Sequence, residues 1–152
     1  MPPTEKRIEV IDGIEVEVLE FSDTVETVDK ASMLSGYPPE VIAKTILLKV
    51  DNNYLIAIVR GDRRIDYKKA SSLLGGRVKL ADPNVVKQVL GVEVGAVTPL
   101  SPRVRQLPVI VDPLITQHEY VVCGGGALNK LYRVKVRDLL EYLNPRIVDV
   151  FK

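Results

Sequence analysis

A mixed α/β domain whose β-sheet curls, with helices interspersed among short strands, is the architecture these 152 residues predict. Three observations lead there. The apolar, β-branched runs are short, as strands are. Between them stand short capped stretches with apolar residues at three- and four-residue spacing, as amphipathic helices require. The two kinds alternate irregularly, which argues for a sheet that curls rather than a regular doubly wound fold. The length suits one domain, residues 1–152, able to bury about two thirds of its unfolded surface.

Taken in order, the Asp12-Gly13 turn precedes Ile14–Leu19, where Ile14, Val16 and Val18 alternate with Glu15 and Glu17. That period of two marks a half-exposed strand. Thr27 is placed to cap a helix carrying Val28, Ala31 and Leu34, with Gly36 as its stop. Tyr37-Pro38-Pro39-Glu40 starts a helical turn that leads into the strand Ala43–Val50. The turn Asp51-Asn52-Asn53 then returns the chain into Tyr54–Val59, apolar on both faces and so a central strand. Asp66 caps a helix with Tyr67, Ala70, Leu73 and Leu74 on one face, ended by Gly75-Gly76. A short strand, Arg77–Leu80, precedes the helix start Asp82-Pro83, whose inner face is Val85, Val86, Val89 and Leu90. Strands follow at Pro108–Asp112, Tyr120–Cys123 and Leu131–Val134. A last helix has Val136, Leu139, Leu140 and Leu143 on one face and ends at Asn144-Pro145. Ile147-Val148 and Val150-Phe151 are suited to an added edge strand or a contact with another subunit.

Bulk properties narrow the function. Hydrophobic residues make up 46% and charged residues 27%, and the net charge is +1, so no global field draws the chain to nucleic acid or membrane. Any RNA contact must come from a local patch. The single cysteine, Cys123, excludes an internal disulfide and suits a reducing cytoplasm. One histidine and one cysteine exclude multi-histidine and thiolate metal centres. The first residues run into no long apolar segment, so neither a leader peptide nor a membrane span is expected.

The chemistry gathers at few places. On the strand Ala43–Val50, Lys44 shares a face with Ile46, Leu48 and Val50. An ammonium in apolar surroundings without partners costs several kcal/mol. Lys44 therefore either reaches water at the strand end or serves a site that wants a positive charge. Two glycine-rich stretches, Gly91–Leu100 and Gly124-Gly125-Gly126, offer backbone N–H groups that hold a carbonyl or an anion without a catalytic side chain. Neither contains the lysine and hydroxyl of a phosphate loop. Cys123 has no base placed beside it and reads as a buried strand residue, and His118 as a surface loop residue. Arg60, Arg63, Arg64, Lys68 and Lys69 crowd one segment, either a solvated face or a contact for an RNA backbone.

Lys44-Thr45, then Gly61-Asp62-Arg63-Arg64-Ile65-Asp66, then the Gly-x-x-x-Gly-x-x-x-Pro stretch from Gly91 to Pro99, then Asp112 and Gly124–Gly126 together resemble the YbaK/ProX aminoacyl-tRNA deacylases. These are stand-alone relatives of the editing domain of bacterial prolyl-tRNA synthetase. The resemblance runs from about Ile14 to Leu143. It implies a curled, partly closed mixed β-sheet with helices packed around it, and hydrolysis of the ester of mischarged tRNA, typically cysteine or alanine on proline tRNA, without metal, cofactor or covalent intermediate. By the same resemblance Lys44 is catalytic. Thr45, Gly91, Gly95, Ala96, Val97, Thr98, Pro99, Asp112, Gly124, Gly125 and Gly126 bind substrate, while Arg60, Arg63, Arg64 and Lys68 are candidate tRNA contacts. The implied partners are aminoacyl-tRNA and an aminoacyl-tRNA synthetase such as prolyl-tRNA synthetase. The rival reading is a module of the same fold that binds aminoacyl-tRNA or a synthetase without turnover.

Overall fold

The computed structural model describes residues 3–152. Met1 and Pro2, where the expected leader-free start begins, lie outside the described residues. Two sheets form the frame. The first is antiparallel, in the order β1 (Glu5–Ile11), β2 (Ile14–Glu20), β8 (Lys130–Lys135), β7 (Tyr120–Gly124). The second runs β5 (Val78–Leu80), β3 (Ala43–Val50), β4 (Asn53–Arg60), β6 (Val109–Val111), β9 (Arg146–Ile147). There β5, β3 and β4 are antiparallel, and β6 and β9 join in parallel. One bridge, Ile42 to Val122, ties the start of β3 to β7 and curls the two sheets toward each other.

The inner faces meet in a core that includes Val16, Val18, Leu47, Ile56, Ile58, Val121 and Val134. Helices α3 (Pro83–Leu90), α4 (Pro102–Arg105) and α5 (Val136–Leu143) cover it with Val86, Leu90, Val104, Leu139 and Leu143. A second core on the outer face of the larger sheet packs Leu48, Leu55, Ala57 and Val59 under α2 (Tyr67–Leu74) and the last residues, Val150 and Phe151. β4 is buried on both faces, as its continuous apolar run requires. A third cluster seats α1 (Val28–Ser35) through Ala31 against Leu19, Val122 and Leu131.

Local chemistry sets the helix ends. Thr27 and Asp66 accept hydrogen bonds from the N–H groups of Lys30 and Lys69, so both act as N-caps. Asp82 makes no such side-chain bond, and Pro83 alone marks the start of α3. Gly36, Gly75 and Asn144 close their helices in the left-handed conformation.

Two elements depart from the expectation. Glu5–Ile11 is a full strand, although six of its seven residues are charged or outward-facing. Arg7 knits it together through Glu5, Glu9 and Glu20. The C-terminal stretch is more than an edge strand, since Val150 and Phe151 are buried and Phe151 pairs with Ile65. No helix among the described residues is long and apolar enough to cross a membrane.

Candidate active site at the open edge of β3

β3 is paired on one side throughout by β4, but on the other only where β5 meets Leu48, Lys49 and Val50. One further bond, Ala81 N–H to the Leu47 carbonyl, ends that contact. Ahead of it the strand edge is open. Antiparallel strands point successive residues' N–H and C=O groups to opposite sides. Leu47 turns its carbonyl to the open side, so Thr45, two residues earlier, does the same with its own backbone groups. The partner strand agrees: Ile58, opposite Thr45, accepts from Asp112 N–H on its far side.

A cavity of about 400 Å³ occupies this gap. Residues Ile42–Leu47 form one wall, Val25–Val28 and Ala31 another, and Leu80, Val94, Gly95, Val97, Cys123, Gly124 and Leu131 the rest. Of the sequence candidates, Lys44, Thr45, Gly95, Val97 and Gly124 line it. Gly91, Ala96, Thr98, Pro99, Asp112, Gly125 and Gly126 do not.

Lys44 is half-buried, and its Nζ donates to the Arg63 carbonyl oxygen at 2.6 Å. It therefore neither escapes to water nor stands unpartnered. Burial lowers its pKa below the usual lysine value, and the charge of Asp62 works the other way. An ammonium has three donors, so two remain after the Arg63 bond. On the opposite face of the strand, Thr45 Oγ1 is buried with no hydrogen-bond partner among the described residues. An unpaired buried hydroxyl costs about 1–3 kcal/mol, which a bound polar group would recover.

The glycine-rich stretches divide by role. Gly91 ends α3 in the left-handed conformation and serves the helix. Gly124 lies against the Val97 carbonyl, where any Cβ would overlap the oxygen. This contact presses the Val94–Val97 turn against β7 beside the cavity. The Ala96 N–H is taken by the Glu93 carbonyl and the Gly125 N–H by that of Lys130. Among the described residues no acceptor is recorded for the Val97 or Thr98 N–H.

Asp112 stands away from the cavity. It is the one buried charged side chain among the described residues, at 0% exposure. Its carboxylate accepts from Arg63 Nη1 at 2.6 Å, Leu114 N–H at 3.0 Å and Arg60 N–H at 3.2 Å. Arg63 also donates to Asp149 at 2.9 Å and to the Phe151 carbonyl at 3.1 Å. Asp112 thus pins the residue whose carbonyl holds Lys44. This settles the placement of the basic segment too. Arg60 is tied to Asp62 at 2.6 and 2.8 Å and Arg63 to its two carboxylates, while Arg64 and Lys68 stay exposed.

His118 lies in a loop, as expected, but not at the open surface. It is part-buried, with Nε2 shielded and unpaired. Cys123 is fully buried and its thiol is pushed up to about 12 by desolvation, so it is no nucleophile. Among the described residues no three His, Cys, Asp or Glu side chains gather where a metal ion would be held. Val25 and Glu26 line the cavity but carried no signal in the sequence, since an apolar and an acidic residue there look like an ordinary helix flank, whereas Val94 lies within the glycine-rich stretch Gly91–Leu100.

Comparison with known proteins identifies the family and the fold. Residues 22–142 match the model of the aminoacyl-tRNA editing domain. A proline–tRNA ligase of Thermoanaerobacter sp. (strain X514) is 30% identical over 118 residues, covering 76% of this chain. The chain spans only 20% of that ligase. The multifunctional Ser/Thr-tRNA deacylase ProXp-y of Escherichia coli (strain K12) is 30% identical over 113 residues, covering 70% of this chain and 67% of the relative. Among solved structures, hypothetical protein APE2540 superposes with a TM-score of 0.81 at 27% identity, over 90% of this chain and 91% of that one. A candidate trans-editing enzyme for prolyl tRNA synthetase gives 0.80 at 25% identity, over 90% and 87%. These matches bear out the curled, mixed architecture, and the chain belongs to the YbaK/ProX-like aminoacyl-tRNA editing domain family.

Proposed function

We propose that this chain is a trans-editing aminoacyl-tRNA deacylase, acting in the cytoplasm on a small mismatched amino acid such as cysteine or alanine on proline tRNA. The observation that carries the reading is the cavity at the open edge of β3, where Lys44, Thr45 and the backbone around Gly95, Val97 and Gly124 share one hollow. The family match and the deacylase relative support it.

An aminoacyl ester is already activated, so positioning and charge stabilisation suffice. In the proposed step water attacks the ester carbonyl carbon and negative charge grows on the carbonyl oxygen. The Lys44 ammonium and the Val97 amide stabilise that charge. The C–O bond to the terminal ribose then breaks, and the ribose oxygen takes a proton originating from the water. Thr45 supplies a hydroxyl and an unpaired strand edge to orient the aminoacyl group. The cavity's short walls admit a small side chain and exclude large ones, a discrimination worth about 1–3 kcal/mol per methylene. No step is assigned to a metal or cofactor.

The test is a panel of mischarged tRNAs and the matching free aminoacyl esters, with the wild type and Lys44→Ala. Loss of one charge-stabilising donor costs about 10²–10³ in rate. Turnover of tRNA that falls by that factor in the variant supports the reading. Binding without turnover by the wild type would instead make the chain a recognition module, and activity on small esters alone a hydrolase of another class.

A further inference from the structure

The residues that line the cavity from β3 continue along the strand to a second concavity. Thr45, Leu47 and Lys49 share one face. Lys49 lies four residues beyond Thr45, about 13 Å along the strand at 3.3 Å per residue. It opens into a hollow of about 370 Å³ that also holds Tyr54, Arg77 and Lys79, and Leu80 lines both hollows.

The register here is unusual. Lys49 is directly opposite Lys79 on β5 and directly opposite Tyr54 on β4. Tyr54, Lys49 and Lys79 therefore form one row across three strands on the cavity's side of the sheet. Like charges directly opposite each other destabilise a sheet. Proteins commonly offset such a pair with a carboxylate, yet among the described residues neither lysine nor Arg77 has a salt bridge within 4.0 Å. Two carboxylates flank the hollow. Asp51 is engaged, its Oδ1 accepting the Arg77 N–H at 3.0 Å. Asp82 stands at the N-terminus of α3, where the helix end favours a negative charge. Neither lies within 4.0 Å of the ammonium of Lys49 or Lys79.

We infer that Lys49, Lys79 and Arg77 form a binding track for the phosphodiester backbone of RNA, with Tyr54 beside it as an aromatic surface. The inference rests on the proposed function, because it names where the rest of a tRNA lies once its aminoacyl end enters the cavity at β3. Cations in a row, free of internal partners and continuous with the site, match a chain of phosphates. It also moves the RNA contact away from Arg60 and Arg63, whose guanidinium groups are spent on Asp62, Asp112 and Asp149.

The decisive variant is Lys49→Gln/Lys79→Gln in the full chain. It removes a like-charge contact, so it folds at least as well as wild type, which thermal melting verifies. Lys79→Gln alone, at an exposed position, shows the same direction at smaller size. The first measurement is anisotropy of labelled, uncharged tRNA across a salt series. The double variant binds about tenfold more weakly at 50 mM salt, and the slope of log K against log salt shrinks by about 1.5. The second measurement is deacylation: KM for mischarged tRNA rises while turnover of the small aminoacyl ester is unchanged. Equal affinity and slope in wild type and variant would overturn the track, as would a wild type that binds no tRNA. It would equally fall if Arg64→Gln/Lys68→Gln carried the loss. Failure of the proposed function reads differently, as a wild type that binds tRNA through these lysines yet hydrolyses no ester.

Discussion

Replacing Asp112 with asparagine tests whether a carboxylate outside the cavity holds Lys44, the proposed catalytic residue, in place. The side chain is at 0% exposure and accepts three N–H bonds, one of them from a guanidinium at 2.6 Å. Asparagine keeps the shape, but it offers an NH2 where the aspartate has an acceptor oxygen. One donor must then face another, and a buried donor left unpaired costs about 1–3 kcal/mol. The charge is also lost opposite Arg63. Breaking a buried ion pair costs about 3–5 kcal/mol, but Arg63 keeps Asp149 and the Phe151 carbonyl and is 15% exposed. The lower end applies, about 3 kcal/mol in all. For a chain of this size that lowers Tm by about 6–12 °C. The assay is urea unfolding together with a cycle through Arg63→Met. The double variant, with no uncompensated charge, should cost clearly less than the sum of the two singles. Deacylation, measured where both proteins remain folded, should fall in kcat more than in KM, because the Arg63 carbonyl that accepts from Lys44 has lost its anchor. Stability within about 0.5 kcal/mol of wild type, or strict additivity in the cycle, would refute the reasoning.

The alkaline side of the pH profile reports the state of Lys44. Burial holds its pKa below the usual 10.5, so if the ammonium is the working form, kcat should drop as pH rises through that lowered value. A rise there would make the neutral amine a general base. Gly124→Ala forces a Cβ onto the Val97 carbonyl, a backbone group that cannot swing aside; about 1–3 kcal/mol of stability and most of the deacylation should go together. Gly91→Ala strains a left-handed cap at φ 76°, by about 1–2 kcal/mol, and meets only the movable Arg103 side chain, so stability should drop in denaturant melts with kcat retained. Cys123 should resist thiol reagents in the native protein. Its thiol is held at about 12 against an ordinary value of 9. Between those values the unfolded chain has lost the proton that the native chain keeps, so stability falls with rising pH at about 1.4 kcal/mol per unit. Alkaline unfolding curves of wild type and Cys123→Ala, which lacks this slope, measure the difference.

What could be read from the chain in advance was what is encoded locally. Thr27 with Lys30, Asp66 with Lys69 and the Gly36, Gly75 and Asn144 stops all act within four residues, and each element they bound is present. β1 was not legible, because the partner that satisfies Arg7 beyond its own strand is Glu20, thirteen residues away on β2. The basic run from Arg60 to Arg64 looked like a surface patch for a related reason: the carboxylates that consume Arg63 lie at Asp112 and Asp149, far along the chain. The cavity has a plainer origin than any motif within it. Leu48 faces Leu80 and Lys49 faces Lys79, so the same register carried two residues past Ala81 and Leu47 would set Pro83 opposite Thr45. Proline has no N–H to give the Thr45 carbonyl, and it starts a helix instead. The Asp82-Pro83 pair, which reads as a helix start, is therefore also what stops β5 after three residues and leaves the edge beside Lys44 unpaired. The opening at Thr45 is set by an incompatibility 38 positions further along the chain, visible only once the pairing of β3 with β5 is known.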